Sequence, residues 1–307
     1  MNSLISRAKS FLKLSLWGIA HFPFVYQIWQ TWRRSYSAKI SVIVFSKDRA
    51  MQLHALLSSW LATKTGECGM IVIYAASSLA HKQAYNEVKF SFKNSVRFVE
   101  QEAFPSLKHC LVPTMQSLPS GKMFFLVDDI VFTEEVDYQK LAEMDLSNTI
   151  FSLRMGAHLN YSYVVSAKQP LPQTLSDQGD CFVWDWNEGE LDWGYPLSVD
   201  GHIFNTSEVL LWAKHLEYKS PSSFEGALQQ MRFVYRNKRG MCFKKSRIVN
   251  IPANKVQTEV ANLHGAVHQD DLLQQWNEGL AIDHTQFRGW NNNSVHQEAE
   301  FQFIRRE

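Results

Sequence analysis

Four short runs of continuous apolar sequence, separated by stretches of helical periodicity, constrain this chain most. KISVIVFS (39–46), GMIVIYAA (69–76), SVRFVEQ (95–101) and KMFFLVDD (122–129) have the length and character of strands. Between them, AMQLHALLSSWLA (50–62) sets Leu53, Leu56, Leu57, Trp60 and Leu61 on one helical face. AHKQAYNEVKFSF (80–92) and SLKHCLVPTMQSL (106–118) are also predicted helices, the second disturbed by Pro113. Strands that are apolar on both faces must be covered on both faces. The expected fold class is therefore α/β, a Rossmann-like, mostly parallel sheet flanked by helices.

In such sheets ligands bind beyond the carboxyl ends of the strands. Two polar clusters are expected there. Ser46, Lys47, Asp48 and Arg49 follow the first strand, and Asp128 and Asp129 end the fourth. Adjacent ionised carboxylates repel each other and are costly to desolvate. A divalent cation or a bound ligand would relieve that conflict. A turn or a helix cap after a buried strand is the structural alternative.

Several function classes are excluded by what is missing. No G-x-G-x-x-G follows the first strand, no G-x-x-x-x-G-K-[ST] occurs, and there is no G-x-S-x-G. A net charge of +1 gives no electrostatic basis for nucleic-acid binding. Cys68, Cys110, Cys181 and Cys242 are scattered without a C-x-x-C. They read as ordinary thiols in a reducing compartment.

The stretches VIVFSKDRAMQLHALLSSW (42–60) and MFFLVDDIVF (123–132) resemble the nucleotide-sugar-binding half of GT-A glycosyltransferases. There, a polar loop after the first strand meets the nucleotide, and an apolar strand leads into a D-x-D-type metal motif. The resemblance implies a glycosyltransferase that takes a nucleotide-diphosphate sugar, UDP-sugar first, with Mn²⁺ or Mg²⁺. Asp129 and Asp128 would hold the metal. Ser46, Arg49, Asp128 and Arg154 would hold the donor. The motif here is D-D-I, with Ile130 where the family often has an acid.

The second half adds aromatic and acidic residues. NTIFSLRMGAHLNYSYV (148–164) should return a strand to the sheet and leave Arg154 near its end, facing a diphosphate or a surface partner. Residues 181–204 hold Trp184, Trp186, Trp193 and Tyr195 among Asp185, Glu188, Glu190, Asp192 and Asp200. Rings beside acids suit a sugar acceptor, with His202 beside them; an aromatic core hairpin is the alternative. Asp200, ahead of Gly201, is the expected general base by analogy with inverting GT-A enzymes, with Asp192 and Glu190 behind it. A D-G hairpin turn would also explain it. Residues 205–231 read as two helices, capped by Thr206 or Ser207 and by Ser222 or Ser223 with Glu225. The basic run 236–252 suits an anionic acceptor, membrane headgroups or a solvated face. His264 is the expected late third metal ligand, again by analogy, although Gly265 weakens a helical pairing with His268.

The expected organisation is a preface over 1–38, a GT-A-like domain over 39–285 and a polar, loosely attached tail over 286–307. Through Lys39 the chain has six basic residues and no acid, which leaves 25 basic against 30 acidic in the remainder. With Trp17, Phe22, Phe24, Tyr26, Trp29 and Trp32, the preface suits either peripheral contact with the inner face of a membrane or packing on the domain. It is interrupted by Lys13, Gly18, His21 and Pro23, and is not a clean spanning run. The expected acceptors are glycan, lipid-linked or other hydroxyl compounds, the expected location cytoplasmic. The competing readings are a sugar nucleotidyltransferase and a catalytically silent sugar- or nucleotide-binding module.

Overall fold

The computed structural model describes residues 39–118, 121–235, 237–252 and 269–306. The preface and His264 lie outside them.

A nine-stranded sheet forms the centre. Its first half follows the expected alternation: β1 (Ile40–Lys47), α1 (Ala50–Thr63), β2 (Cys68–Ala75), α2 (Leu79–Phe92), β3 (Val96–Glu100), α3 (Leu107–Gln116) and β4 (Lys122–Val127). After β4 come β5 (Ile130–Phe132), β6 (Thr149–Ser152), β7 (Ser176–Gln178), β8 (Cys181–Asp185) and β9 (His202–Asn205). Two helices, α4 (Thr206–His215) and α5 (Pro221–Gln230), precede β10 (Arg239–Phe243) and β11 (Ile248–Asn250). The order across the sheet is β7-β8-β10-β6-β9-β4-β1-β2-β3. β1 pairs in parallel with both β2 and β4, in the register Val44–Val72 and Val44–Leu126. β9 enters antiparallel between β4 and β6, and β8 runs antiparallel to both β7 and β10. The remaining strands share one direction, so the sheet is mostly parallel.

Alternation along β1 explains the layering. Val42 and Val44 enter one core with Leu53, Leu56 and Trp60 of α1 and Tyr85 of α2. Ile43 and Phe45 enter the other, with Leu111 of α3, Trp212 of α4 and Phe224 of α5. Both faces of the sheet are thus covered by helices.

The polar tail is a correction to the expectation. Residues 286–306 are fastened to the domain, not loosely attached. A 3-10 turn, His284–Phe287, runs across the expected boundary, and β13 (Phe303–Arg305) pairs antiparallel with β12 (Leu280–Ile282). Asn292, Ser294 and Val295 are buried. The Asn250 amide donates to Val295 O at 3.0 Å, and the Gln297 amide donates to Asn250 O at 3.0 Å. The segment is held by its backbone and by buried polar side chains, so its polar composition did not mark it as part of the core. The α5 cap also differs from expectation. Ser220 is the N-cap, in a reciprocal box with Ser223, and Pro221 is the first helical residue.

Candidate functional site

The first cluster is built by the turn between β1 and α1. Asp48 takes a positive φ of 55°, a conformation Asp tolerates better than most residues. Its amide donates to Ala75 O at 3.2 Å, and its carboxylate accepts from the Ser77 amide at 2.7 Å. The turn delivers Arg49 as the N-cap of α1, and the Arg49 amide donates to the Tyr85 hydroxyl at 3.2 Å. Across the rim, β4 ends at Val127 and the chain turns through Asp128 and Asp129 into β5.

Ser46, Arg49, Asp128 and Asp129 meet there as expected. Asp128 Oδ2 accepts from Ser46 Oγ at 2.8 Å and from the Lys47 amide at 3.1 Å. Arg49 Nη1 donates to Asp128 Oδ1 at 3.1 Å and to Asp129 Oδ2 at 2.9 Å. The remaining oxygen, Asp129 Oδ1, accepts from Asn250 Nδ2 at 2.9 Å. Ile130, the third residue of D-D-I, is buried in the core. Its register partner across β5 and β11 is Asn250. The residue facing Ile130 therefore supplies the polar contact that Ile130 does not.

Burial dominates the ionisation of this pair. It pushes Asp129 up to about 6, with Arg49 opposing and Asp128 and Asp200 adding to the rise. Asp128 is also raised by burial, against the pull of Arg49 and Ser46.

The second cluster surrounds Asp200. Gly201 carries a positive φ of 73°, and a Cβ there would lie 2.3 Å from Ile248. Its amide donates to Phe125 O at 2.8 Å, and its carbonyl accepts from the Leu153 amide at 2.9 Å. This is not a hairpin turn. It threads β9 between β4 and β6 and leaves Asp200 at the rim. Arg154 Nη1 lies 3.7 Å from Asp200 Oδ2, and His296 Nε2 lies 3.5 Å from the same oxygen. Burial works against ionisation of Asp200, but the His296 and Arg154 contacts outweigh it and hold the carboxyl below its ordinary value.

Arg154 is buried and turned towards acids. Its Nη2 donates to Asp192 Oδ1 at 3.2 Å. Asp192 is thus committed to an ion pair, and Glu190 is exposed outside the cluster. The half-buried Tyr195 ring lies under Arg154, 5.9 Å from its guanidinium carbon.

The three tryptophans expected to meet an acceptor lie in the core. Trp184 and Trp193 are wholly buried, edge to face at 4.8 Å, and Trp184 Nε1 donates to Trp193 O at 3.0 Å. Trp186 is almost wholly buried beside them. His202 is buried with Nδ1 2.9 Å from Pro196 O, and burial and Arg154 push its pKa down to about 3. It is a neutral core histidine. The basic run also finds partners within the fold: Lys238 with Glu208, Lys244 with Asp177, and Lys245 with Glu134.

Three residues were not foreseen. Asn250 fell within the basic run and His296 within the tail. Glu225 read as a helix cap. Instead its carboxylate accepts from Ser198 Oγ at 2.8 Å and the Val199 amide at 3.0 Å, fixing the segment before Asp200. No local pattern separates these three from ordinary surface residues.

A divalent cation fits the carboxylate pair poorly. All four oxygens already accept from protein donors, and a guanidinium nitrogen bridges the two acids. Among the described residues, no three or more His, Cys, Asp or Glu side chains are grouped to hold a metal. Also among the described residues, no helix is long and apolar enough to cross a membrane.

Comparison with known proteins gives distant likenesses. No family model matches the chain. It is 25% identical over 189 residues to the bifunctional glycosyltransferase pgtA of Dictyostelium discoideum. That match covers 55% of this chain and about a quarter (24%) of pgtA. Among solved structures, S. aureus TarS 1–349 in complex with UDP-GlcNAc aligns with a TM-score of 0.45 and 15% identity, over 72% of this chain and 60% of that one. A nucleotidyl transferase from Methanothermobacter aligns with a TM-score of 0.40 and 13% identity, over 78% and 97% of the two chains.

Proposed function

We propose that this protein is a glycosyltransferase of the GT-A type. It would move a sugar from a nucleoside-diphosphate donor, UDP-sugar first, to a hydroxyl acceptor. The observation that carries this reading is one rim bearing two clusters. Asn250 joins them: its side chain donates to Asp129 at 2.9 Å, its backbone is bridged to His296, and His296 lies 3.5 Å from Asp200. One cluster suits the donor diphosphate and ribose, and the other suits proton removal. The distant likeness to pgtA agrees with this class.

In the proposed reaction the acceptor oxygen attacks the anomeric carbon, and the bond from that carbon to the diphosphate oxygen breaks. Asp200 takes the hydroxyl proton. Arg154 and His296 keep it ionised and aimed, and Glu225 holds the backbone ahead of it. Arg49 places a permanent positive charge at the rim where negative charge gathers on the leaving diphosphate. Tyr195, half-buried beside Arg154, is the ring best placed to meet an acceptor sugar. The acceptor would be a glycan, a lipid-linked compound or another hydroxyl compound. Residues 39–285 would form the catalytic domain, with the C-terminal segment contributing His296.

The test is a thermal-shift screen with UDP, GDP and CDP, with Mn²⁺ or with EDTA, followed by incubation with the matching nucleotide sugar. A ligand that binds only the native state raises the melting temperature. One stabilising nucleotide, and its release from the sugar donor in an Asp200-dependent way, is the expected result. Formation of nucleoside triphosphate and sugar phosphate from the nucleotide sugar and added pyrophosphate would instead identify a nucleotidyltransferase. Binding without turnover would identify a silent module, and no stabilisation by any nucleotide would end the reading.

A further inference from the structure

The two carboxylates are bridged by a single nitrogen of the chain itself. Arg49 Nη1 is 3.1 Å from Asp128 Oδ1 and 2.9 Å from Asp129 Oδ2. Divalent cations sit at roughly 2.0–2.6 Å from carboxylate oxygens and bridge them in the same way. A metal between these acids would stand beside a guanidinium that stays charged at any ordinary pH. Mutual repulsion of the two cations, in a site where the three side chains are about nine-tenths buried, opposes that arrangement.

Arg49 is also held in place. Its carbonyl accepts from the Leu53 amide at 2.9 Å in the first turn of α1. Its amide donates to the Tyr85 hydroxyl, which lies 2.6 Å from Ser46 Oγ, and Ser46 in turn donates to Asp128. The positive-φ turn at Asp48 fixes the approach. The remaining carboxylate oxygens are held by Ser46, the Lys47 amide and Asn250.

We propose that the Arg49 guanidinium is the resident cation of this site, occupying the bridging position between Asp128 and Asp129 so that no divalent metal binds there. Where the nucleotide-sugar reading holds, on which this second consequence rests, donor binding and transfer then proceed in EDTA. Arg49 and the exposed Lys47 at the same rim supply the positive charge.

The test is Mn²⁺ binding followed by electron paramagnetic resonance, with and without UDP, on wild type, Arg49→Ala and Arg49→Gln. Wild type should leave the free Mn²⁺ signal where buffer alone, or UDP alone, leaves it. The Arg49 variants should bind Mn²⁺ at least about tenfold more tightly, the least expected from removing a like charge a few ångströms away. Arg49→Ala leaves two buried acids without their cation, so it will melt earlier, and Mn²⁺ should restore its melting temperature. Adding Asp129→Asn should abolish that restoration. Wild-type binding of Mn²⁺ that disappears in Asp129→Asn would overturn the proposal. So would folded Arg49→Ala and Arg49→Gln proteins that both fail to bind Mn²⁺. Failure of every nucleotide to stabilise the wild type counts against the nucleotide-sugar reading, and the Mn²⁺ result stays interpretable without it.

Discussion

His296 Nε2 lies 3.5 Å from Asp200 Oδ2, so a residue of the polar C-terminal segment faces the proposed base. That contact makes a prediction about pH. Asp200 is held below its ordinary value, so its contribution to stability is present above about pH 4, where the unfolded carboxyl ionises, and is lost as pH falls through the folded value. His296→Gln removes one of the groups holding it down. The loss should then be smaller and complete at a higher pH, giving a shallower acid limb. Melting temperature measured against pH for wild type and variant checks this; superimposable acid limbs would show that His296 does not act on Asp200.

Asp129 predicts the opposite sign. Its carboxyl is pushed up to about 6 by burial, with Arg49 opposing. The unfolded chain releases that proton at about 4. Between those values the native state binds more protons than the unfolded state, so through this group acidification favours folding and a rise in pH costs stability. Urea unfolding from pH 4 to pH 6.5 should show this slope as the difference between wild type and Asp129→Asn. A flat difference would mean that Asp129 ionises at its ordinary value.

Trp184 should behave as a core residue. It is wholly buried, and a Cβ on Gly240 would lie 2.2 Å from its ring. Trp184→Ala should cost about 3–5 kcal/mol. Gly240→Ala should cost about 1–3 kcal/mol by overpacking. Chemical denaturation measures both. In the folded fraction the KM for acceptor should be unchanged; a selective rise in that KM at wild-type stability would return Trp184 to the acceptor site.

Lys238 and Glu208 form a buried pair at 3.0 Å. Breaking a buried ion pair by removing one partner costs about 3–5 kcal/mol. Glu208→Ala should lose this much in urea unfolding. The double change Glu208→Leu, Lys238→Met should recover most of it, and no recovery would mean that the loss is not one of pairing.

Much of this was legible in the sequence, for definite reasons. β1, β2 and β4 are buried on both faces, so their apolar runs needed no context to be read. Ser46, Arg49, Asp128 and Asp129 end such runs, and strand ends in a parallel sheet share a rim. The tryptophans misled because rings beside acids look alike in a sugar cleft and in a core whose loops carry the acids. β9 was hidden because an antiparallel insertion is decided by its neighbours β4 and β6, not by its own four residues. His296 and Asn250 were hidden for a related reason. Their roles come from the pairing of the C-terminal segment beside β11, a contact made far along the chain.

That pairing has a consequence for how the protein is made. Ser46, Asp128, Asp200, Asn250 and His296 converge on one rim from nearly the whole described length. Synthesis proceeds from the N-terminus, and early segments begin to collapse before later ones exist. β1 to β4 can bury their apolar faces while His296 is still untranslated. During that interval Asp129 lacks the amide of Asn250 and Asp200 lacks its imidazole partner. This rim is therefore the last part to close, and an early stop codon or a fusion joint near residue 296 would strike it directly.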